Sequence, residues 1–521
     1  MPSSPAFSVQ KYNTAGIASW LLLFAGLLPW FVSEWQASLD ENAAWLLIGA
    51  QRLLHGDSLL RTFYDGDPPL NILIYAPAVV ISKLLHLPLW RGLFLYMTGL
   101  TAFAAVLVWR LAGLIPGIDY ARRQVVIASF LVSATILYHL IWGAREQFIY
   151  LFIFPLAMAQ GLMTLQIPLK RNLKYAALIP GAVAGLIKPH FLVIPAVMLT
   201  HRAWRRKSIL SPVRDADFII LTVAAFIYLA IIFIFFRDYT SIVVRDLVRY
   251  YVAAKHVRQT ILIMAPFLVI TGMVLMASEL LEFDRDARKR IRIPLAMVLL
   301  CFIPCLIQMK GFPYHFVPAI GFLGVAIALF FQEIAGRLKL ARAGALPGIA
   351  AALAFVYALT PFPPHYPGND TYKDMPFPHY VREHAANGAF YVYMDNMGMV
   401  PQTALYTGLT DASRFPSLWF LPALLNYNDR AAIDRYAGYI AEDLARWKPS
   451  VLLIQRKGYM HAPGKNDFDF VTYFGGNRAF SAEMKHYKKT ETRPFPTAEY
   501  FDGIPPGMSD KMIFDVYERR P

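Results

Sequence analysis

Charge is scarce in this chain. Asp, Glu, Lys and Arg make up only 16% of its 521 residues, against about 25% in an average soluble protein. Cysteine is scarcer still, with Cys301 and Cys305 the only two. They sit four residues apart in an apolar stretch, a spacing poorly suited to a disulfide, and no further ligands stand beside them for a metal site. They read as small packing residues. The polar C-terminal third has no cysteine at all, so it carries no record of its redox compartment. A small-residue cleavage site is also missing after the first apolar stretch, at 16–33, which is therefore expected to be an uncleaved membrane span that follows a short polar start with Lys11. No RNA- or DNA-reading motif accompanies the net charge of +15, which excludes nucleic acid as the partner.

What is present in excess is apolar. Hydrophobic residues reach 57% and the mean hydropathy is +0.42, too much to bury in one water-soluble core because burial saturates as domains grow. The chain reads as a polytopic α-helical membrane protein. Apolar stretches follow the first at 70–86, 90–112, 124–142, 147–168, 173–187, 190–202, 217–236, 259–281, 293–309, 313–333 and 343–361. Several fall short of the ~20 residues that cross a bilayer. The two at 173–187 and 190–202 are parted by Lys188-Pro189-His190 and read as a kinked helix or a tight hairpin.

Basic loops choose among the topologies. The loop with Arg202, Arg205, Arg206, Lys207 and Arg214 and those at 285–292 and 337–342 carry the positive charge of cytoplasmic loops, as do 110–123 and 170–174. All five share one side if 70–86 lies at the interface and the stretches at 173–187 and 190–202 both cross. This gives about eleven spans, a cytoplasmic N-terminus, and a long first outer loop at 34–89. From about 363 the composition changes. PFPPHYPGND forms a linker, and beyond it AFYVYMD and VLLIQR read as buried strands and DRAAIDRYAGYIAEDLARW as an amphipathic helix. The expected organisation is a membrane domain at 1–362 and an extracytoplasmic α/β domain at 363–521. No internal repeat of the transporter kind is visible.

Ionisable residues beside membrane segments are costly and mark function by default. On this topology nearly all of them gather at the outer face. They are Asp40-Glu41 after the first span, Asp67 within YDGDPPL, Arg145-Glu146, Lys188 and His190, the basic loop around Arg245, and Lys310 with Tyr314-His315 in KGFPYH. Each has a bland reading: a solvated helix start for Asp40 and Glu41, a structural ion pair for Arg145-Glu146, a snorkelling Lys188, an interfacial Tyr314-His315. Independent accidents should not all fall on one face. Carboxylates facing Lys, Arg and His at a membrane surface suit a base acting beside a bound phosphate. A lipid-phosphate-linked sugar meets both needs. The alternatives are a transporter or flippase of lipid-linked sugars and a non-catalytic scaffold. The first predicts polar residues strung through the membrane depth.

These motifs resemble a known family. SLDENAAWLLIGAQRLLHGD after a first span, with Pro-Pro-Leu some thirty residues beyond the acidic pair, is similar to the first outer loop of GT-C glycosyltransferases, above all the protein O-mannosyltransferases and the bacterial lipid A aminoarabinose transferases. Arg145-Glu146, Lys188-Pro189-His190 and Tyr314-His315 resemble motifs of further bacterial members. The resemblance covers roughly 1–360. It implies an inverting transferase in a bacterial inner membrane with its site and C-terminal domain facing the periplasm. The donor would be a polyprenyl-phosphate sugar, and the acceptor a glycan, lipid or protein. Asp40 matches the base by position, with Glu41 second. The basic or histidine residue usual before Pro-Pro-Leu is Asp67 here, so the donor phosphate falls to Lys188, His190, Arg245, Lys310 and His315, with Arg145, Glu146, Tyr314 and Asp67 completing the site. A pair of carboxylates also suits a divalent metal, although the resembled mannosyltransferases use none. The C-terminal domain lacks the Trp-Trp-Asp signature of oligosaccharyltransferases, which argues against asparagine-linked transfer. Glu41 is expected to point about 100° from Asp40 around a helix.

Overall fold

The computed structural model describes residues 14–251, 255–360, 368–394, 397–457, 469–497 and 510–521. Lys11, the linker residues 361–367 and the end of the first expected strand at Asp395 lie outside them. The membrane part is helical throughout. Among the described residues seven helices are long and apolar enough to cross a bilayer: Thr14–Gln36, Leu89–Ala112, Arg145–Thr164, Ala216–Phe235, Val257–Leu280, Arg285–Gln308 and Pro313–Arg337. Ala216–Phe235 has the highest mean hydropathy, 3.0, yet only 6% of its apolar window is buried. So much exposed hydrocarbon needs lipid rather than water around it, and the helix satisfies its own backbone polar groups there. This is a multi-pass membrane protein. The other four expected spans are also helices, but shorter: Tyr120–Thr135, Arg171–Ile187, Val193–Arg205 and Leu346–Leu359, of 16, 17, 13 and 14 residues. Tyr120–Thr135 is prolonged by the 3₁₀ segment Ile136–Ile141.

The break at Lys188 makes a hairpin. Proline cannot continue the hydrogen-bond ladder and disfavours helical backbone in the residue before it. Lys188 is accordingly extended (φ −129°, ψ 97°), and the 3₁₀ turn Pro189–Leu192 follows. Lys188 meets Glu146 at the start of Arg145–Thr164, while Arg202 reaches Gln160 and Thr164 at its other end. The two short helices therefore run in opposite directions. Pro313–Arg337 is the bundle's centre, its apolar window 89% buried. Cys301 and Cys305 are both free and buried, as expected of packing residues.

The stretch at 70–86 contains two short helices, Leu70–Leu73 and Ala76–Leu84. Glu41–Leu54 before it is enclosed on every side over its middle, with Ala43 to Ala50 buried. Its Gly49 lets the Phe63 ring approach to 2.5 Å from where a Cβ would stand, and Phe63 stacks on Trp45 with centroids 4.1 Å apart. The first outer loop is thereby folded onto itself.

The C-terminal region contains a five-stranded sheet, β1 Ala389–Tyr393, β2 Thr410–Asp411, β3 Val451–Lys457, β4 Tyr487–Pro496 and β5 Lys511–Arg519, in the order β2-β1-β3-β5-β4. β1 is parallel to β2 and β3, while β5 runs antiparallel to β3 and β4. The expected strands are β1 and β3, whose continuous apolar runs fit their central, doubly covered places. The expected helix is Arg430–Trp447, capped by Asp429, whose carboxylate accepts from the Ala432 amide at 3.2 Å. β4 carries Lys, Thr, Glu and Arg along an exposed edge and has no apolar run to announce it. The far end of the linker is tied down: the Asn369 amide donates to the Gln36 carbonyl at 2.7 Å.

Candidate active site

Asp40 is the N-cap of Glu41–Leu54. Its Oδ1 accepts from the amides of Asn42 (3.0 Å) and Ala43 (3.2 Å). The helix-start reading of this residue is thus correct as local structure, and the same bonds fix the carboxylate directly after the first span. Burial raises its pKa to about 6, against the lowering effect of the two amides; the nearby Glu146 charge adds to the rise. Glu41 is pushed up to about 8, by burial first and by the Asp40 charge second. At neutral pH Asp40 is therefore ionised and Glu41 is protonated. The expected 100° separation of the two does not hold. Asp40 is not helical (φ −56°, ψ 147°), so the helical angle has no bearing on it, and the two side chains hydrogen-bond to each other.

The motifs at the helix ends converge. Arg145, at the start of its span, pairs with Asp67. Glu146 beside it is buried and pairs with Lys188, and His315 Nε2 stands 3.9 Å from Glu146 Oε1. The Lys188 ammonium lies over the Tyr314 ring, 5.5 Å from its centroid, and Tyr314 packs edge-on to His315 at 4.6 Å. Tyr75 Oη donates to the Gly143 carbonyl at 2.5 Å, which ties the helix after Pro-Pro-Leu to the turn that presents Arg145. The anion partner expected for Lys188 is supplied by the protein itself, as Glu146. Asp67 is held by a cation where the resembled family carries one.

His190, half-buried in the 3₁₀ turn, and Lys310, buried in the loop after Arg285–Gln308, both lie within electrostatic reach of His315. Burial pushes Lys310 down to about 8, helped by the Lys255 charge. Arg245 stands apart from the other expected phosphate contacts. Its side chain is 64% exposed and its ion pair, at 4.0 Å, is with the adjacent Asp246. Among the described residues no group of three or more His, Cys, Asp or Glu side chains is placed to hold a metal ion.

Asp65 is a site residue that sequence reasoning passed over in favour of Asp67. Trp45 Nε1 donates to its Oδ2 at 2.5 Å and the Asp67 amide to its Oδ1 at 2.8 Å. Burial raises it to about 6 although the Arg145 charge pulls it down. Its signal was present in the Asp-Gly-Asp repeat, but nothing there says which aspartate takes Arg145. Asp65 and Asp67 also line a cavity of about 180 Å³ with Phe63, Arg237, Tyr239 and Val243. The site thus combines buried carboxylates held above their usual range with a connected run of opposite charges, at the end of the bundle where the first outer loop lies.

No family model matches the sequence, and no curated protein matches it. Among solved structures the chain is similar to the crystal structure of ArnT from Cupriavidus metallidurans bound to undecaprenyl phosphate, with a TM-score of 0.51, 13% sequence identity, and coverage of 96% of this chain and 98% of that one. The match spans nearly the whole of both chains, so this protein shares the overall fold of that structure.

Proposed function

We propose that the protein is a glycosyltransferase that moves a sugar from a polyprenyl-phosphate donor to an extracytoplasmic acceptor with inversion. The observation that carries this reading is Asp40, a buried carboxylate fixed as a helix N-cap directly after the first span and within the field of Glu146. Likeness of fold to ArnT, a protein captured with undecaprenyl phosphate, supports the donor class. A transporter would string polar groups through the membrane depth; here the clusters sit at the helix ends.

In this reaction an acceptor hydroxyl oxygen attacks the anomeric carbon from the face opposite the phosphate. The C–O bond to the phosphate breaks, its electron pair leaves with the polyprenyl phosphate, and the hydroxyl proton passes to Asp40. Protonated Glu41 donates to Asp40 and orients it. Lys188, with Arg145 and Lys310 around it, supplies the positive field that stabilises the leaving phosphate, and His190 and His315 stand beside it as hydrogen-bond donors. Glu146 holds Lys188 in place when no donor is bound. Arg245 is a peripheral member of this group. The basic loops around Arg202 to Lys207, at the opposite ends of the helices, support the reading that this site faces the periplasm from a bacterial inner membrane.

The test is mass spectrometry of glycans and lipids from a deletion strain complemented with wild type or Asp40→Asn. One sugar modification is expected to vanish on deletion, to return with wild type, and to stay absent with Asp40→Asn at equal membrane levels. Full restoration by Asp40→Asn would overturn the assignment of the base, and an unchanged sugar profile on deletion would overturn the reaction.

A further inference from the structure

A second polar cluster lies outside the site, at the junction of three pieces of chain far apart in sequence. Asp246 is buried in the helical segment 239–251, between the span Ala216–Phe235 and the span Val257–Leu280. Its carboxylate accepts from Tyr64 Oη (2.7 Å), Tyr436 Oη (2.9 Å) and Arg435 Nη2 (2.8 and 2.9 Å to its two oxygens). Tyr64 belongs to the first outer loop, and Arg435 and Tyr436 to the C-terminal helix Arg430–Trp447. A buried carboxylate is expensive unless its oxygens are filled, and these are filled from both sides.

The consequence falls on the residues that follow Tyr64. The same segment holds the next turn from above: Tyr239 Oη donates to the Gly66 carbonyl at 3.2 Å, and Leu247 packs so closely on Gly66 that a Cβ there would stand 2.7 Å from its methyl carbon. The Tyr64 amide donates to the Arg414 carbonyl at 2.5 Å. Asp65 and Asp67, on either side of Gly66, face the cavity and Arg145. Only two residues, Asp65 and Gly66, therefore separate Tyr64 of the Asp246 cluster from Asp67, whose ion pair begins the charge run of the site.

We infer that Asp246 is a positioning residue for sugar transfer: through Tyr64 it makes the C-terminal domain set the place of Asp65 and Asp67, and so of Arg145. This rests on the proposed glycosyl transfer. Asp246 touches no reacting group and acts only through the loop. The C-terminal domain thereby becomes a working part of the site.

The test uses the full chain in phosphatidylethanolamine/phosphatidylglycerol nanodiscs. Two readouts are taken: amide hydrogen exchange over 64–67, and turnover on the polyprenyl-phosphate lipid extract of the source membranes. Tyr64→Phe removes one hydroxyl and nothing else. It is expected to speed exchange over 64–67 while β3 stays protected, and to lower kcat about 10- to 100-fold with KM for the donor lipid little changed, as a small misplacement of a site does. Asp246→Asn should do the same, and the double variant should be no worse than Asp246→Asn alone, because both break one linkage. Tyr436→Phe, on the far side of Asp246, should act in the same direction. Wild-type exchange and kcat in Tyr64→Phe, or effects that multiply in the double variant, would overturn the inference. If Asp246→Asn fails to fold, Tyr64→Phe and Tyr436→Phe decide. A wild-type protein inactive on the extract would count against glycosyl transfer itself, and the exchange result would still test the linkage.

Discussion

The two ends of the helical bundle are built from the same side chains to opposite effect. At one end Arg202 donates to Asp215 (2.8 Å), Asp217 (2.9 Å), Thr164 (3.3 Å) and the Gln160 carbonyl (3.2 Å), and Glu333 accepts from Arg122 and Arg290, with contacts of 2.7 to 2.9 Å. Each guanidinium there is met by carboxylates and carbonyls of its own chain. At the other end only part of the charge is paired off: Asp67 meets Arg145 and Glu146 meets Lys188, while Asp40, Glu41 and Asp65 are held above the ordinary carboxylate range. A closed ion-pair cluster is scaffolding. Buried carboxylates held above their usual range, next to Arg145 and Lys188 and beside a cavity, are suited to taking a proton at a bound substrate.

The largest expected difference between the two ends is in turnover. Asp40→Asn should reduce transfer by about 10²–10⁴-fold, the usual worth of a general base, with donor binding kept. Arg202→Gln, at the other end, should leave kcat per folded molecule unchanged. Activity and thermal melting measured on both variants separate chemistry from scaffolding, and an active Asp40→Asn would erase the contrast.

Removing one partner of a buried pair comes next. Lys188→Ala leaves Glu146 buried with its main partner gone and should cost about 3–5 kcal/mol of stability. Lys188→Met with Glu146→Gln should recover most of that stability and none of the donor affinity. Urea melts together with undecaprenyl phosphate binding read the two effects apart. If donor affinity returns with stability, Lys188 is structural, like Arg202.

A pH profile sharpens the comparison further. Below about 6 Asp40 is protonated and cannot take the hydroxyl proton, so kcat/KM should rise through that value; above about 8 Glu41 ionises, stops donating to Asp40, and activity should fall. Glu41→Gln should remove the alkaline limb and keep the acid one. A flat profile from about 5 to about 9 would place the base elsewhere, with Glu146 the next carboxylate to examine.

The smallest effect belongs to Arg245. An exposed ion pair is worth about 0–1 kcal/mol, so Arg245→Ala should change donor affinity by less than about fivefold. A larger loss, by titration with undecaprenyl phosphate, would draw the 237–258 loop into the phosphate site.

Hydrophobic runs of span length, basic loops and the step in composition near 363 state a membrane bundle followed by a mixed α/β region without any structure, because each is a local property of ten to twenty residues. Asp40 was legible for the same reason: an acidic residue straight after a span and straight before a helix is a cap by local rules. Arg145-Glu146, Lys188-Pro189-His190 and Tyr314-His315 were legible as costly polar islands, and their common end of the bundle follows from counting crossings. What partners they take was not legible. Glu146 meets Lys188 across 42 residues and Tyr64 meets Asp246 across 182, and no periodicity records a contact between residues so far apart along the chain. The charge states of Asp40 and Glu41 likewise arise from burial by distant chain, as does the choice of Asp67 over Asp65 for Arg145. Composition and pattern determined the class of protein and the residues worth watching; tertiary packing alone decided which of them are paired off and which are left in the field of a substrate, because desolvation and Coulomb energy depend on distance in space and not along the chain.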